Sequence, residues 1–277
     1  MSAKQLTWEE AVQWFRDQPS KQELVKACYY DDPLQTAAER FSQSEEWQAV
    51  VQLLKDHIPG KVLDIGAGRG ISSYAFAKAG CQVTALEPDP SPLVGAGAIQ
   101  SLVAANNVSI DIVQSYGEML PFDANSFNIV YGRAVLHHAR DLNQLCQEVG
   151  RVLKPGGVFI ATREHVISKR EDLDQFLNSH ALHKLYGGEN AFLLSEYINA
   201  IKGANLTPKQ SISPSASVIN YAPTTIAEFH NQTSQSLARF VGGSLAKLGC
   251  LQDLYLAYRD NKSNAPGRHY SFIGVKP

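Results

Sequence analysis

VLDIGAGRG, residues 62–70, decides how the rest of this chain is read. Val62 and Leu63 run into Asp64, and Gly66, Gly68 and Gly70 follow at alternate positions. The next residues, ISSYAFAKAG, read as a helix that stops at Gly80. A buried strand that ends in a glycine turn and opens a helix is a ligand site, because loop N–H groups and the helix N-terminus favour an anion. Spacing narrows the choice. The dinucleotide fingerprint is G-x-G-x-x-G, and here Ile71 occupies the third glycine's place. A P-loop is excluded, since no Gly-Lys-Ser/Thr follows. Asp64 would repel a pyrophosphate and welcome a cationic amine, so the ligand suggested is zwitterionic, with a methionine-type amino-acid end. Glu87 ends the next strand, 21 residues past Gly66, where an acid can accept hydrogen bonds from both hydroxyls of a ribose. NAD and S-adenosyl nucleosides share that feature.

From residue 61 onward, strands and helices alternate. KVLDIG, CQVTALEP, VSIDIVQS, FNIVYGRAV and GVFIATREHV read as strands. SPLVGAGAIQSLVAANN, entered by Ser-Pro, and LNQLCQEVGRVL, closed by KPGG, read as helices between them. This alternation predicts an α/β fold: a Rossmann-like, doubly wound, mostly parallel seven-stranded sheet with an antiparallel last strand. RHYSFIGVKP, at 268–277, is expected to supply that last strand at the sheet edge. Residues 1–57 are expected to form a helical extension, with a capping box at Thr7 and Glu10 and a break at CYYDDP. Residues 58–277 would form the main domain. Its ligand-binding core would span about 58–163, with helical caps at about 168–200 and 224–260.

Composition excludes some functions. The net charge of −2 offers no footprint for nucleic acid. The four cysteines, Cys28, Cys81, Cys146 and Cys250, lie far apart without a CxxC pair, which argues against a zinc site and a disulfide framework. The opening residues lack a signal peptide's apolar core, and no apolar run reaches membrane-spanning length. A cytoplasmic protein without integral membrane association is the expectation.

VLDIGAGRG, ALEPD, SYGEMLPF, FNIVYGRAVLHH and RVLKPGG occur in the order and at the spacing of one known group. On these residues, which span roughly 61–162, the chain resembles the class I S-adenosylmethionine-dependent methyltransferases, in the branch that methylates small molecules. The resemblance implies S-adenosyl-L-methionine as cofactor. It implies that Asp64, Gly66, Ala67 and Gly68 hold the methionine part, that Glu87 holds the ribose, and that Pro88 and Asp89 lie beside the adenine. Tyr116 stands where the group often places an Asp that receives the adenine amino group; a Tyr can stack on the ring instead. Gly117 and Glu118 keep their places, and Arg133 precedes a loop that covers the methionine moiety. The expected reaction is in-line methyl transfer to a small-molecule acceptor, an apolar one included. Two other readings compete: a catalytically silent binding protein of the same fold, and an NAD(P)-dependent oxidoreductase, against which Asp64 and the missing third glycine count.

Candidate bases sit at the carboxyl ends of the fourth and fifth strands: His138, with His137 beside it, and Glu164 and His165. A neutral His suits proton abstraction near neutral pH. His180 and His183, at i, i+3 on an expected helix, could join Glu189 as metal ligands. Nothing in the sequence completes that site, so no metal is expected, and a hydrogen-bonding or lid role is favoured. Tyr29 and Tyr30, in the N-terminal break, are expected to pack.

Overall fold

The structure is a computed structural model that describes residues 5–277. The first four residues of the expected N-terminal extension lie outside the described residues. Among the described residues, eight strands form one sheet: β1 (Lys61–Ile65), β2 (Gln82–Leu86), β3 (Ile110–Val113), β4 (Phe127–Arg133), β5 (Leu153–Ile167), β6 (Phe192–Leu193), β7 (Thr207–Ile212) and β8 (Arg268–Val275). The order is β3-β2-β1-β4-β5-β8-β7, and two-residue β6 pairs with β5 off this path. Neighbours are parallel except at β8, which runs antiparallel to β5 and β7. The fold class is therefore the expected one, but the last strand is not at the edge. It is inserted between β5 and β7, and half-exposed β7 takes the edge. Apolar Tyr270, Phe272 and Ile273 are buried and suit an interior position, whereas Thr207, Lys209, Gln210 and Ser211 of β7 suit an edge.

Each sheet face is covered. Trp47, Val50 and Leu54 of the helix Glu45–Leu54 join Tyr74 and Phe76 of the helix Ile71–Lys78 and Ile99 of the helix Ala96–Ala105 on one face. On the other, Leu145, Val149 and Val152 of Leu142–Val152 meet Tyr197 and Ile201 of Leu194–Gly203. Burying each such side chain contributes on the order of 1.5–3 kcal/mol. The helix after β2 begins at Ala96, later than the Ser-Pro entry suggests. Residues 89–95 fold back instead: Ser91 N–H donates to Asp89 Oδ1, and Leu93 and Val94 N–H donate to Ser91 Oγ. Strand order reverses direction between β1 and β4, so the loops leaving their carboxyl ends part and open a crevice. The candidate site lies in that crevice.

Candidate functional site

One cavity of about 1060 Å³ occupies the crevice. That is large for a single small ligand and leaves room for two. Its first wall is the glycine loop. Gly66 has φ +59°, and a Cβ there would lie 2.2 Å from Val135 Cγ2, so only glycine lets the loops after β1 and β4 approach. Gly68 has φ +53° and donates its N–H to Glu87 Oε2 at 2.7 Å. Glu87 Oε1 takes Asp89 N–H at 2.9 Å. The Glu87 carboxyl is buried yet lines the cavity, and burial raises its pKa above the usual range. Gly66, Ala67, Gly68, Glu87, Pro88, Tyr116, Gly117, Glu118 and Arg133 all line this cavity. Tyr116 is half-exposed at the rim with the Arg140 guanidinium 5.0 Å over its ring, and Glu118 Oε1 accepts from Arg140 N–H.

Asp64 differs from the other expected residues. It is 1% exposed behind the loop, and its Oδ2 accepts the Ser73 hydroxyl at 2.6 Å. Burial pushes its carboxyl up to about 7; the Ser73 hydrogen bonds and Arg133 oppose this, and Glu87 reinforces it.

The deeper wall depends on a bulge in β5. Ala161 pairs with Phe272 but Glu164 pairs with Tyr270, so β5 carries one extra residue at Thr162–Arg163. Arg163 adopts φ +61° and donates to the carbonyls of Ile219 and Ala222. The extra residue reverses the alternation that follows it. Glu164 joins the face of Phe159 and Ala161, and His165 turns into the cavity. Fully buried Glu164 accepts the N–H groups of Val135, Leu136 and His137 at 3.0–3.1 Å and pairs with His137 Nδ1 at 2.8 Å. Its carboxylate thus caps the short turn Leu136–His138 and fixes the loop after β4. Three of the five non-glycine residues with positive φ among those described, Tyr29, Ala134 and Arg163, border the cavity, as strained backbone at functional sites often does.

The N-terminal segment forms the outer wall. Arg69 of the glycine loop donates to the Tyr29 and Asp31 carbonyls at 2.8 and 3.0 Å and pairs with Asp32. Arg133 forms a bidentate pair with Glu46, which is 1% exposed, at 2.7 and 3.1 Å. The Arg133 guanidinium also lies 5.5 Å over the rings of Tyr29 and Phe41. These ties make Cys28, Tyr29 and Tyr30 cavity walls, although Tyr29 also packs edge-on against Phe41.

Five of the eight histidines, His137, His138, His165, His180 and His269, face the same cavity. His138 Nδ1 lies 3.0 Å from Gly188 O and His165 Nδ1 lies 3.1 Å from Gly267 O. Burial pushes the His165 imidazole down to about 2, reinforced by His137 and His269. Burial also opposes charge on His137, but the hydrogen bonds to Glu164 and Glu189 outweigh it and raise that imidazole to about 9. The expected helix over 168–186 is broken: one helix ends at Ser179, His180 turns into the cavity, and His183 begins the next short helix away from it. Glu189 returns to the cavity after a glycine turn and accepts the Tyr186 hydroxyl at 2.7 Å. Sequence spacing had no means of grouping His137, His165 and Glu189, which come from three separate loops.

Residues 63–161 match the sequence family described as a methyltransferase domain. An uncharacterized methyltransferase of Bacillus subtilis, YcgJ, is 29% identical over 138 residues, half of this chain and 53% of that one. The ubiquinone biosynthesis O-methyltransferase of Xanthomonas axonopodis pv. citri is 36% identical over 104 residues, 37% of this chain and 42% of that one. The chain thus matches about half or less of the length of these curated relatives. Among solved structures, the geranyl diphosphate C-methyltransferase of Streptomyces coelicolor, in complex with Mg2+, geranyl diphosphate and S-adenosyl-L-homocysteine, superposes with a TM-score of 0.57. It is 15% identical, and the match covers 89% of this chain and 85% of that one. Among the described residues, no helix is long and apolar enough to cross a membrane.

Proposed function

We propose, from a chain whose residues 63–161 match the methyltransferase-domain family, that the protein transfers a methyl group from S-adenosyl-L-methionine to a small-molecule acceptor. The observation that carries this reading is one cavity lined both by the glycine loop, Glu87 and the Tyr116–Glu118 segment and by a cluster of histidines. The residues present fit the cofactor. The loop at Gly66 and Gly68 holds both residues at positive φ and leaves no room for a side chain at Gly66, so a ligand can approach its backbone closely. Glu87 has lone pairs left on the cavity side for a ribose diol. Pro88 and the Tyr116–Glu118 segment line the same cavity and would flank an adenine.

When bound, the cofactor supplies an electrophilic methyl on a sulfonium. The protein's work is to align the acceptor with it and exclude water. The N-terminal wall, held by Arg69 and by the Glu46–Arg133 pair, encloses the chamber. Glu164 is a positioning residue, because its oxygens are engaged by the loop it caps. His138 is the candidate proton acceptor, with Nδ1 against the Gly188 carbonyl and Nε2 left for a neighbour. Relatives named for a ubiquinone-pathway acceptor and for geranyl diphosphate support a small, partly apolar acceptor.

The test is thermal unfolding with S-adenosylmethionine, S-adenosylhomocysteine, NAD and NADP in parallel. At about a hundred times Kd, a ligand of the native state adds about 2.7 kcal/mol, or roughly 5–10 °C for a chain of this size. A shift with the S-adenosyl compounds alone is expected. A shift with NAD or NADP alone would replace methyl transfer by hydride transfer.

Affinity should also depend on pH. Without a ligand ammonium beside it, burial holds the Asp64 carboxyl at about 7, Arg133 and Ser73 notwithstanding. Ser73, Glu87, Arg133 and Tyr131 are the groups coupled to it. Only the carboxylate attracts the ammonium of S-adenosylhomocysteine, so affinity holds above about pH 7 and falls by up to about tenfold per unit below it. Titration calorimetry in buffers of different ionisation enthalpy would register a proton released on binding near about pH 6. Flat affinity and no released proton would remove Asp64 from this role.

A further inference from the structure

The inner chamber contains a grouping that methyl transfer alone does not require. The ligand atoms of His137, His165 and Glu189 all lie within 4.8 Å of one another. His137 Nε2 is 3.6 Å and His165 Nε2 is 4.0 Å from the same oxygen, Glu189 Oε2. These separations exceed a hydrogen bond but approach the spacing of atoms sharing one cation.

The second layer of contacts fixes the first. His137 Nδ1 is held by the Glu164 carboxylate, and His165 Nδ1 by the Gly267 carbonyl. A carbonyl only accepts, so His165 Nδ1 carries the proton and Nε2 of the neutral ring points a lone pair at the group. Carboxylate and backbone carbonyl are the usual outer partners of metal-binding imidazoles. Glu189 is oriented in turn by the Tyr186 hydroxyl on its other oxygen. The neutral His165 ring and the Glu189 carboxylate thus turn lone pairs toward one point, where a shared cation would engage both.

We propose that His137 Nε2, His165 Nε2 and Glu189 bind one divalent transition-metal cation of the zinc type at the inner end of the cavity. Two imidazoles and one carboxylate suit Zn2+ or Co2+ and do not suit oxygen-seeking Mg2+. Three protein ligands leave an open position toward the cavity, the pattern of a catalytic site. His180 Nδ1, 3.9 Å from Glu189 Oε1, stands beside the site.

Taken with the proposed methyl transfer, on which this part rests, the open position selects acceptors with an ionisable hydroxyl or thiol. Coordination releases that group's proton to water. The bound oxygen or sulfur then gives a lone pair to the methyl carbon as the carbon–sulfonium bond breaks, and that bond's pair stays on the cofactor sulfur.

The metal site is testable without cofactor or acceptor. The full chain, stripped with a chelator, is titrated with Co2+ and read by visible absorption, then displaced with Zn2+. One equivalent with an intense four- or five-coordinate spectrum is expected, and Mg2+ does not compete. His165→Ala and Glu189→Gln should each weaken Co2+ binding at least about 100-fold. His57→Ala, outside the cavity, should not. S-adenosylhomocysteine binding is measured on the same variants and is expected to persist. Weak six-coordinate binding, or binding equal in all variants, overturns the site. Loss of S-adenosylhomocysteine binding in the parent protein with tight Co2+ binding intact would instead overturn the methyltransferase reading and leave the metal site standing.

Discussion

Glu164→Gln is expected to lower the thermal unfolding midpoint by about 10 °C. Glu164 is fully buried and takes three backbone N–H groups and one imidazole nitrogen. A glutamine of the same shape keeps one acceptor oxygen and turns an NH2 group toward donors, leaving buried N–H groups unpaired. Breaking such a buried charged network costs about 3–5 kcal/mol. A chain of this size loses roughly 2–4 °C per kcal/mol. Circular dichroism melts of Glu164→Gln beside Glu171→Gln, an exposed acid nearby, would test this. A midpoint within about two degrees of the parent would mean that Glu164 does not hold the loop after β4.

The largest effect on ligand affinity is expected at Glu87. Two hydrogen bonds from a ribose diol to a mostly buried carboxylate are worth about 1.5 kcal/mol each. Glu87→Ala should therefore weaken S-adenosylmethionine and S-adenosylhomocysteine alike by about 100-fold. The losses should match, because both ligands have the ribose and only one has the methyl. Calorimetry showing a loss confined to one ligand would contradict the ribose assignment. An unchanged affinity for both would show that Glu87 serves only the turn that its contacts to Gly68 and Asp89 brace.

The glycine-loop side of the cavity was readable from sequence because its residues are close in sequence and obey local rules. The glycines needed for positive φ, the acid ending β2 and the segment after β3 each sit at the end of a strand whose apolar pattern is plain. The histidine-lined side was not readable in the same way. A single extra residue in β5 decides that Glu164 faces the loop and His165 the cavity, and alternation cannot reveal a bulge that only pairing with β8 defines. Tyr29, His137, His165, Glu189 and His269 meet across more than two hundred residues of sequence. The role of Arg69 was hidden inside the glycine motif itself, since nothing in GAGRG signals that its arginine anchors residues 29–32. Helical spacing paired His180 with His183, yet the break after Ser179 separated them.

The interior place of β8 has a further consequence, for the order in which this protein is made. Residues 153–167 leave the ribosome about a hundred residues before their partner at 268–275. Until then, the Val158–Ala161 stretch presents an unpaired apolar edge, open to the wrong neighbour. The bulge that turns His165 into the chamber is likewise undefined until β8 docks. The glycine loop and Glu87 can assemble early from neighbouring sequence, so the newborn chain gains its glycine-loop wall first and its histidine-lined wall last.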